Sequence, residues 1–242
     1  MNFSLEVSLK TDLNNLPKVK DVYITLLPGE DFRQVADKAK ELTNLSFNPV
    51  PHFPARSIKN LNVLKDYVNR CKDCGVKQAL VIGGSAQPVG DFHCSLQLLE
   101  TGLFEGFRIG IAGHPDGSPD ISDSDLEKAM RDKKPYADYI VTQWLVESDP
   151  IIKFVSKQKI PVHVGITGPM KISSLLKFAN TVGAKNSINF IKSNLGKTFD
   201  LLKPKDPNDL IKKVKSVTNN FHIYTFGGLK ETNTWLMEKK YV

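Results

Sequence analysis

Short runs of β-branched and aromatic residues alternate with longer segments of helical period along the whole chain, and that alternation limits the folds open to it. Eight strand candidates can be read: Asn2 to Ser8, Asp21 to Leu26, Phe47 to His52, Gln78 to Gly83, Phe107 to Gly113, Asp138 to Gln143, Pro161 to Ile166 and His222 to Phe226. Helical patterns lie between them at Phe32 to Leu42, Leu61 to Arg70, Leu96 to Leu103, Ser124 to Asp132, Pro150 to Lys157 and Ser173 to Val182, and Lys230 to Lys239 closes the chain. Strand followed by helix, eight times over, predicts parallel βα units closed into an α/β fold of the (β/α)8 TIM barrel kind. An open doubly wound sheet gives the same alternation, but no G-x-G-x-x-G follows the first strand.

The 242 residues, 40% of them hydrophobic, suffice for one barrel domain spanning residues 1–242. An extra helical segment is expected at about 184–219, with a helix over Ser187 to Ser193. Ser124 and Asp123 are candidate helix caps, and Gly75, Gly106 and Gly183 fall where helices should stop. No run is apolar for long enough to span a membrane and no leader-like start is visible, so a cytoplasmic protein is expected.

Three cysteines suit a reducing compartment, and the C-x-x-C of Cys71 and Cys74 reads as chance spacing at a helix end. The net charge of +7 favours anionic partners. Its lysines are spread along helices, as at Lys212, Lys213 and Lys215, which argues for an anionic metabolite over nucleic acid. A homo-oligomer is left open.

In a barrel the chemistry belongs at the C-terminal ends of the strands. Polar and glycine-rich residues gather there: Thr25, Pro51-His52, Gly83-Gly84-Ser85, the run Ala112-Gly113-His114-Pro115-Asp116-Gly117-Ser118-Pro119-Asp120, and Thr142-Gln143-Trp144. Glu6 stands inside an apolar run, where a buried carboxylate either donates a proton with its pKa raised or faces solvent near the strand end. Gln143 offers a donor and an acceptor suited to a planar heterocycle. His52, His114, His163 and His222 lie on strands or their ends, so a metal-dependent hydrolase is weighed. His222 opening its strand and His163 at mid-strand would place them at different depths.

These motifs, in order, are S-L-E at Ser4 to Glu6, P-H at Pro51-His52, G-G at Gly83-Gly84, A-G-H-P-D-G-S-P-D from Ala112, A-D-Y-I-V-T-Q from Ala137 and F-H-I-Y-T-F from Phe221. The set resembles the flavin-dependent methylenetetrahydrofolate reductases in a short, single-domain form. The resemblance implies an oxidoreductase of one-carbon metabolism and methionine biosynthesis, with FAD as cofactor, NADH or NADPH as electron donor and a folate as substrate. It implies that Glu6 protonates the folate, that Gln143 and Tyr224 bind it, and that Thr25, His52, Gly83, Gly84, Ala112, His114 and Ser118 contact the flavin. It also implies that Asp125, Lys128 and Arg131 hold the cofactor's ribose and phosphates from one helix face. Ser85 stands at a catalytic position where the family carries aspartate. That exchange keeps open a folate-binding methyl-transfer barrel, or a non-redox folate-binding one without flavin.

Overall fold

A computed structural model describes residues 1–118, 121–171 and 204–242. Eight parallel strands close into a barrel: β1 (Asn2–Val7), β2 (Asp21–Ile24), β3 (Asn48–Pro54), β4 (Gln78–Ile82), β5 (Arg108–Gly113), β6 (Tyr139–Trp144), β7 (Val162–Thr167) and β8 (Asn220–Tyr224). Each strand pairs with its sequence neighbours, and β8 closes on β1 with Ser4 opposite His222 and Glu6 opposite Tyr224. The expected (β/α)8 barrel is therefore the architecture, and the open sheet is not. The helices are α1 (Phe32–Asn44), α2 (Leu61–Asp73), α3 (Ser95–Leu99), α4 (Asp123–Lys133), α5 (Ser148–Val155), α6 (Asn208–Val214) and α7 (Leu229–Glu238). None of the helices among the described residues is long and apolar enough to cross a membrane.

Two cores follow from the two faces of each strand. Leu5, Val7, Val22, Ile24, Ile111 and Ile223 point outward into the jacket formed with the helices, where Val35, Leu64 and Trp235 meet them. Inside the barrel, Tyr23, Val50, Leu80, Tyr139 and Val141 form a separate cluster. Along β1, Ser4 and Glu6 alternate with Leu5 and Val7, so both polar side chains belong to the interior. The N-terminal end of that interior is tied by polar contacts. Asp21 accepts from Asn48 and Gln78, each at 3.0 Å, and Arg108 donates to Gln78 at 2.9 Å.

Local chemistry accounts for the helix ends. Asp31 caps α1, Asn60 caps α2 by accepting from the Val63 amide at 3.0 Å, and Gly75 follows α2 with φ +79. The cap of α4 is Ser122, not Ser124 or Asp123, because the Ser122 hydroxyl lies one residue before the first helical position and accepts from the Asp125 amide. Helix α3 stops at Leu99 and not Leu103, since Gly102 takes φ +71 three residues on. Gly106, at φ +87, therefore serves a turn before β5 and not a helix end. The last strand is shifted by two residues from its expected place, because Phe226 at φ +44 and Gly227 at φ +83 leave the extended region. Helix α6 falls within the extra helical segment expected at about 184–219, although the expected helix there was Ser187 to Ser193; Pro207 before α6 and the Leu210, Ile211 and Val214 spacing are its signal. The expected helices over Ser173 to Val182 and Ser187 to Ser193, and Gly183, lie outside the described residues.

A bulge separates Val141 from Trp144 in the β6 to β7 pairing and brings Gly165 against the β6 backbone. A Cβ at Gly165 would stand 2.4 Å from the Gln143 carbonyl oxygen and 2.5 Å from that of Thr142. Gly165→Ala is therefore expected to destabilise the fold by roughly 3 kcal/mol, seen as a lowered thermal midpoint. Gly83→Ala, with nothing within 4 Å of its new Cβ, serves as the near-neutral control.

Candidate active site

Glu6 is the centre of the polar interior. Its Oε2 lies 3.5 Å from His52 Nε2 on β3 and 3.6 Å from His222 Nε2 on β8. The Glu6 side chain keeps 19% of its surface exposed, while those of His52 and His222 keep 8% and 0%. The Glu6 side chain is thus the most exposed member of the group. Among the described residues neither buried imidazole Nε2 atom has a hydrogen-bond partner, so these are long electrostatic contacts and not formed hydrogen bonds. Below Glu6, Ser4 Oγ stands 3.0 Å from His222 Nδ1.

Aromatic rings surround this group. Tyr23 packs edge-on to His222 at 4.4 Å, its hydroxyl donates to that of Tyr139 at 3.3 Å, and Tyr139 stacks on His163 at 4.8 Å. Tyr224 lies edge-on to His222 at 4.9 Å and donates to the Thr142 carbonyl at 2.9 Å. Phe226 stacks on Tyr224 and meets the fully buried Trp144 edge-on. The left-handed backbone of Phe226, unusual for a bulky residue, holds its ring beside Tyr224.

These surroundings set protonation. Burial raises the Glu6 carboxyl, but the contact with His222 and the charges of His52 and His222 outweigh it and hold the group below its ordinary value. Glu6 is therefore ionised at neutral pH, which corrects the expected proton donor with a raised pKa. Burial drives His52 down to about 4, against the pull of the Glu6 charge, and burial drives His163 to about 4 as well. Both are neutral imidazoles at pH 7.

The expected depth separation of the histidines is also corrected. His222 occupies the middle of its strand, so it meets the same carboxylate as His52. Among the described residues no group of three or more His, Cys, Asp and Glu could hold a metal ion. The C-x-x-C carries free thiols, and Cys71 is buried in the core with its pKa pushed well up by burial.

The remaining expected site residues do not converge on Glu6. Thr25 uses its hydroxyl on the Val7 carbonyl at 3.3 Å, and Gly83 accepts from the Arg56 amide at 3.0 Å. Gly84 has φ +86, and a Cβ there would come 3.1 Å from the Pro54 Cβ. Ala112 is half-buried near the end of β5, and Ser85 is exposed on the loop after β4. Gln143 donates to the Gly117 carbonyl at 3.3 Å, tying β6 to the β5–α4 loop, while its buried Oε1 has no partner among the described residues. Ser118 lies on that same loop; Pro119 and Asp120 are outside the described residues.

His114 and Arg131 line a different feature, a groove of about 720 Å3 on the outside of the barrel between α4 and α5. Asp125 instead accepts from the Ser122 hydroxyl at 2.7 Å, and Lys128 donates to Asp132 at 2.7 Å. The three α4 residues expected to grip one cofactor are thus divided, two of them satisfied along their own helix. Sequence reading noted Arg56 only as part of the run that ends the third strand, and it gave no role to Ser4 or to His222 beside Glu6. The signal was the two-residue period, since Ser4 and Glu6, like His222 and Tyr224, alternate with apolar neighbours.

No family model matches the chain. Among solved structures it is similar in fold to a 2,3-dimethylmalate lyase described as a PEP mutase/isocitrate lyase superfamily member, at 9% identity and TM-score 0.56, over 93% of this chain and 73% of that one. An oxaloacetate acetylhydrolase, solved with the inhibitor 3,3-difluorooxalacetate, is similar at 11% identity and TM-score 0.57, over 99% and 80%. A putative phosphonomutase from Burkholderia cenocepacia J2315 is similar at 8% identity and TM-score 0.55, over 100% and 94%. Identities this low show a shared fold and nothing finer. The expected flavoprotein oxidoreductase, with its FAD, nicotinamide donor and folate, is corrected on these findings: the similar barrels bear the names of a lyase, a hydrolase and a phosphonomutase. Ionised Glu6 and the divided α4 residues agree with that correction.

Proposed function

We propose that the chain is a proton-transferring enzyme of the lyase or isomerase type, acting on a small carboxylate-bearing substrate at the mouth of the barrel with Glu6 as the base. The observation that carries this reading is the Glu6 carboxylate, ionised and on a partly exposed side chain, between two imidazoles whose Nε2 atoms have no hydrogen-bond partner among the described residues. The fold is shared with enzymes named for dimethylmalate and oxaloacetate, both small polycarboxylates, and the net charge of +7 favours such anions.

Arg56 is the cation assigned to the substrate carboxylate. It follows β3, its amide is fixed to Gly83 and its Nε to the His93 carbonyl at 3.1 Å, and no described residue engages the guanidinium's terminal nitrogens. At rest Glu6 is a weak base, because the imidazoles favour its charged form. A substrate that covers its exposed edge removes the remaining water and raises its proton affinity, the effect that burial already exerts there. The proton accepted by Glu6 then has an imidazole nitrogen within 3.6 Å on either side.

The test is incubation in D2O with a panel of 2-oxo and 2-hydroxy di- and tricarboxylates, followed by proton NMR. Loss of a C–H signal beside a carboxyl or carbonyl group, or appearance of cleavage products, is the expected result. Folded protein that exchanges and cleaves nothing across the panel overturns the proposal.

A further inference from the structure

We propose that Trp144 and Phe226 form a gated subsite for the second carboxylate of a dicarboxylate substrate, which accepts from the Trp144 indole N–H once the Phe226 ring turns aside. The place of this subsite in turnover rests on the proton-transfer reading above; the binding of a dicarboxylate there does not.

The argument starts from two costs that meet in one contact. Trp144 is 0% exposed, and its Nε1 is buried with no hydrogen-bond partner among the described residues. An indole nitrogen can only donate, and a donor sealed away without an acceptor is costly to keep. The other tryptophan shows the ordinary arrangement, with Trp235 Nε1 donating to Asn208 Oδ1 at 3.2 Å. Phe226 carries the second cost. Its φ of +44 is a left-handed backbone that a ring-bearing residue rarely adopts, and its ring meets Trp144 edge-on with centroids 6.4 Å apart. An orphaned donor touching a strained residue at the strand ends of a barrel points to a ligand that relieves both.

The pair stands at the mouth beside the polar group. Phe226 stacks on Tyr224 at 5.8 Å, and Tyr224 stands opposite Glu6 in the pairing of β8 with β1. Trp144 pairs with Gly165 on β7, which carries no side chain to stand between the two rings. Phe226 is half-buried and so the more open of the two, and Gly227 after it is exposed, with φ +83 and nothing within 4 Å of where a Cβ would stand. The gate therefore sits on backbone with room to move. Around the eight strands, Glu6 on β1, Arg56 after β3 and Trp144 at the end of β6 are two, three and three strands apart. A dicarboxylate with one end on Arg56 and its middle over Glu6 has the Trp144 side of the mouth for its other end. A neutral donor there holds the carboxylate without lowering the proton affinity of Glu6, as a second cation would.

Indole proton–nitrogen NMR tests this, because the chain has only 2 tryptophans. In the free protein the Trp144 N–H is expected upfield of the hydrogen-bonded Trp235 N–H. Titration with malate is expected to move the Trp144 signal downfield and leave Trp235 in place. Lactate, which lacks the second carboxylate, is expected to move neither. Trp144→Phe keeps the aromatic bulk without the donor. It is expected to raise KM for the dicarboxylate turned over by about 10- to 100-fold, the worth of one hydrogen bond to a charged group, with kcat changed less and the thermal midpoint not lowered. A role in packing alone would lower the midpoint and leave KM in place. Phe226→Gly relieves the left-handed backbone and is expected to speed exchange of the Trp144 N–H in D2O by at least about tenfold. A Trp144 signal unmoved by malate and by every other dicarboxylate of the panel, or moved equally by lactate, overturns the proposal, as does unchanged exchange in Phe226→Gly. If Trp144→Phe does not fold, the wild-type titration still decides. A shifted Trp144 signal with no exchange or cleavage of any ligand would overturn the proton-transfer reading and leave the subsite standing.

Discussion

Lowering the pH from 7 to 4 is expected to unfold the protein. His52, His114 and His163 are each held at about 4 in the fold, chiefly by burial, against an ordinary value of 6.5. Above pH 6.5 the three are neutral in both states and their contribution is constant. Between 6.5 and about 4 the unfolded chain binds three protons that the folded one does not, so stability falls throughout that window. Below about 4 both states are protonated and the loss stops growing. Each histidine contributes about 3 kcal/mol to the loss, and a typical domain has only about 5–15 kcal/mol in total. Urea midpoints measured at half-unit steps of pH should show a slope approaching about 4 kcal/mol per pH unit near pH 5. A slope equivalent to less than one proton would show that these histidines are not buried as neutral rings. Glu6, with its depressed pKa, adds a loss of the same sign at the acid end of the window.

Glu6→Gln is expected to lower the rate of proton exchange by about 10²–10⁴-fold while leaving the thermal midpoint at pH 7 nearly unchanged. Glutamine keeps the shape and the polar atoms of the side chain but cannot hold a proton in transit. Substrate affinity, which the proposal assigns to Arg56, should change little. An intact rate in Glu6→Gln would move the base to another residue. A lost rate accompanied by a large stability loss would mean that the carboxylate serves the barrel's packing and not the chemistry.

The strands were legible because their apolar runs are short and separated by helical period, and all eight lie within two residues of their expected ends at both termini. The eighth is shifted by two at each end, and that small shift mattered. Because side chains alternate along a strand, the position of His222 relative to Glu6 depends on the β8 to β1 register, which no local pattern encodes. The protonation of Glu6 was misjudged for a related reason. A carboxyl in an apolar run reads as a raised pKa when desolvation is considered alone, and the two imidazoles that reverse the sign come from residues 46 and 216 positions away in the chain. The α4 residues failed differently: i, i+3 spacing put Asp125, Lys128 and Arg131 on one face, but Ser122 and Asp132 engage two of them locally.

The sequence by itself determined the eight alternating strand and helix units, and the missing G-x-G-x-x-G after the first strand favoured closing them into a barrel over an open doubly wound sheet. It also placed Glu6 near the C-terminal end of the first strand. Which groups surround that carboxylate was decided only by the tertiary structure, where closure of β8 on β1 brings His222 to it and the curl of the barrel brings His52 from β3. Charge in a buried site depends on distances of a few ångströms between segments far apart in sequence, and those distances exist only once the barrel is closed.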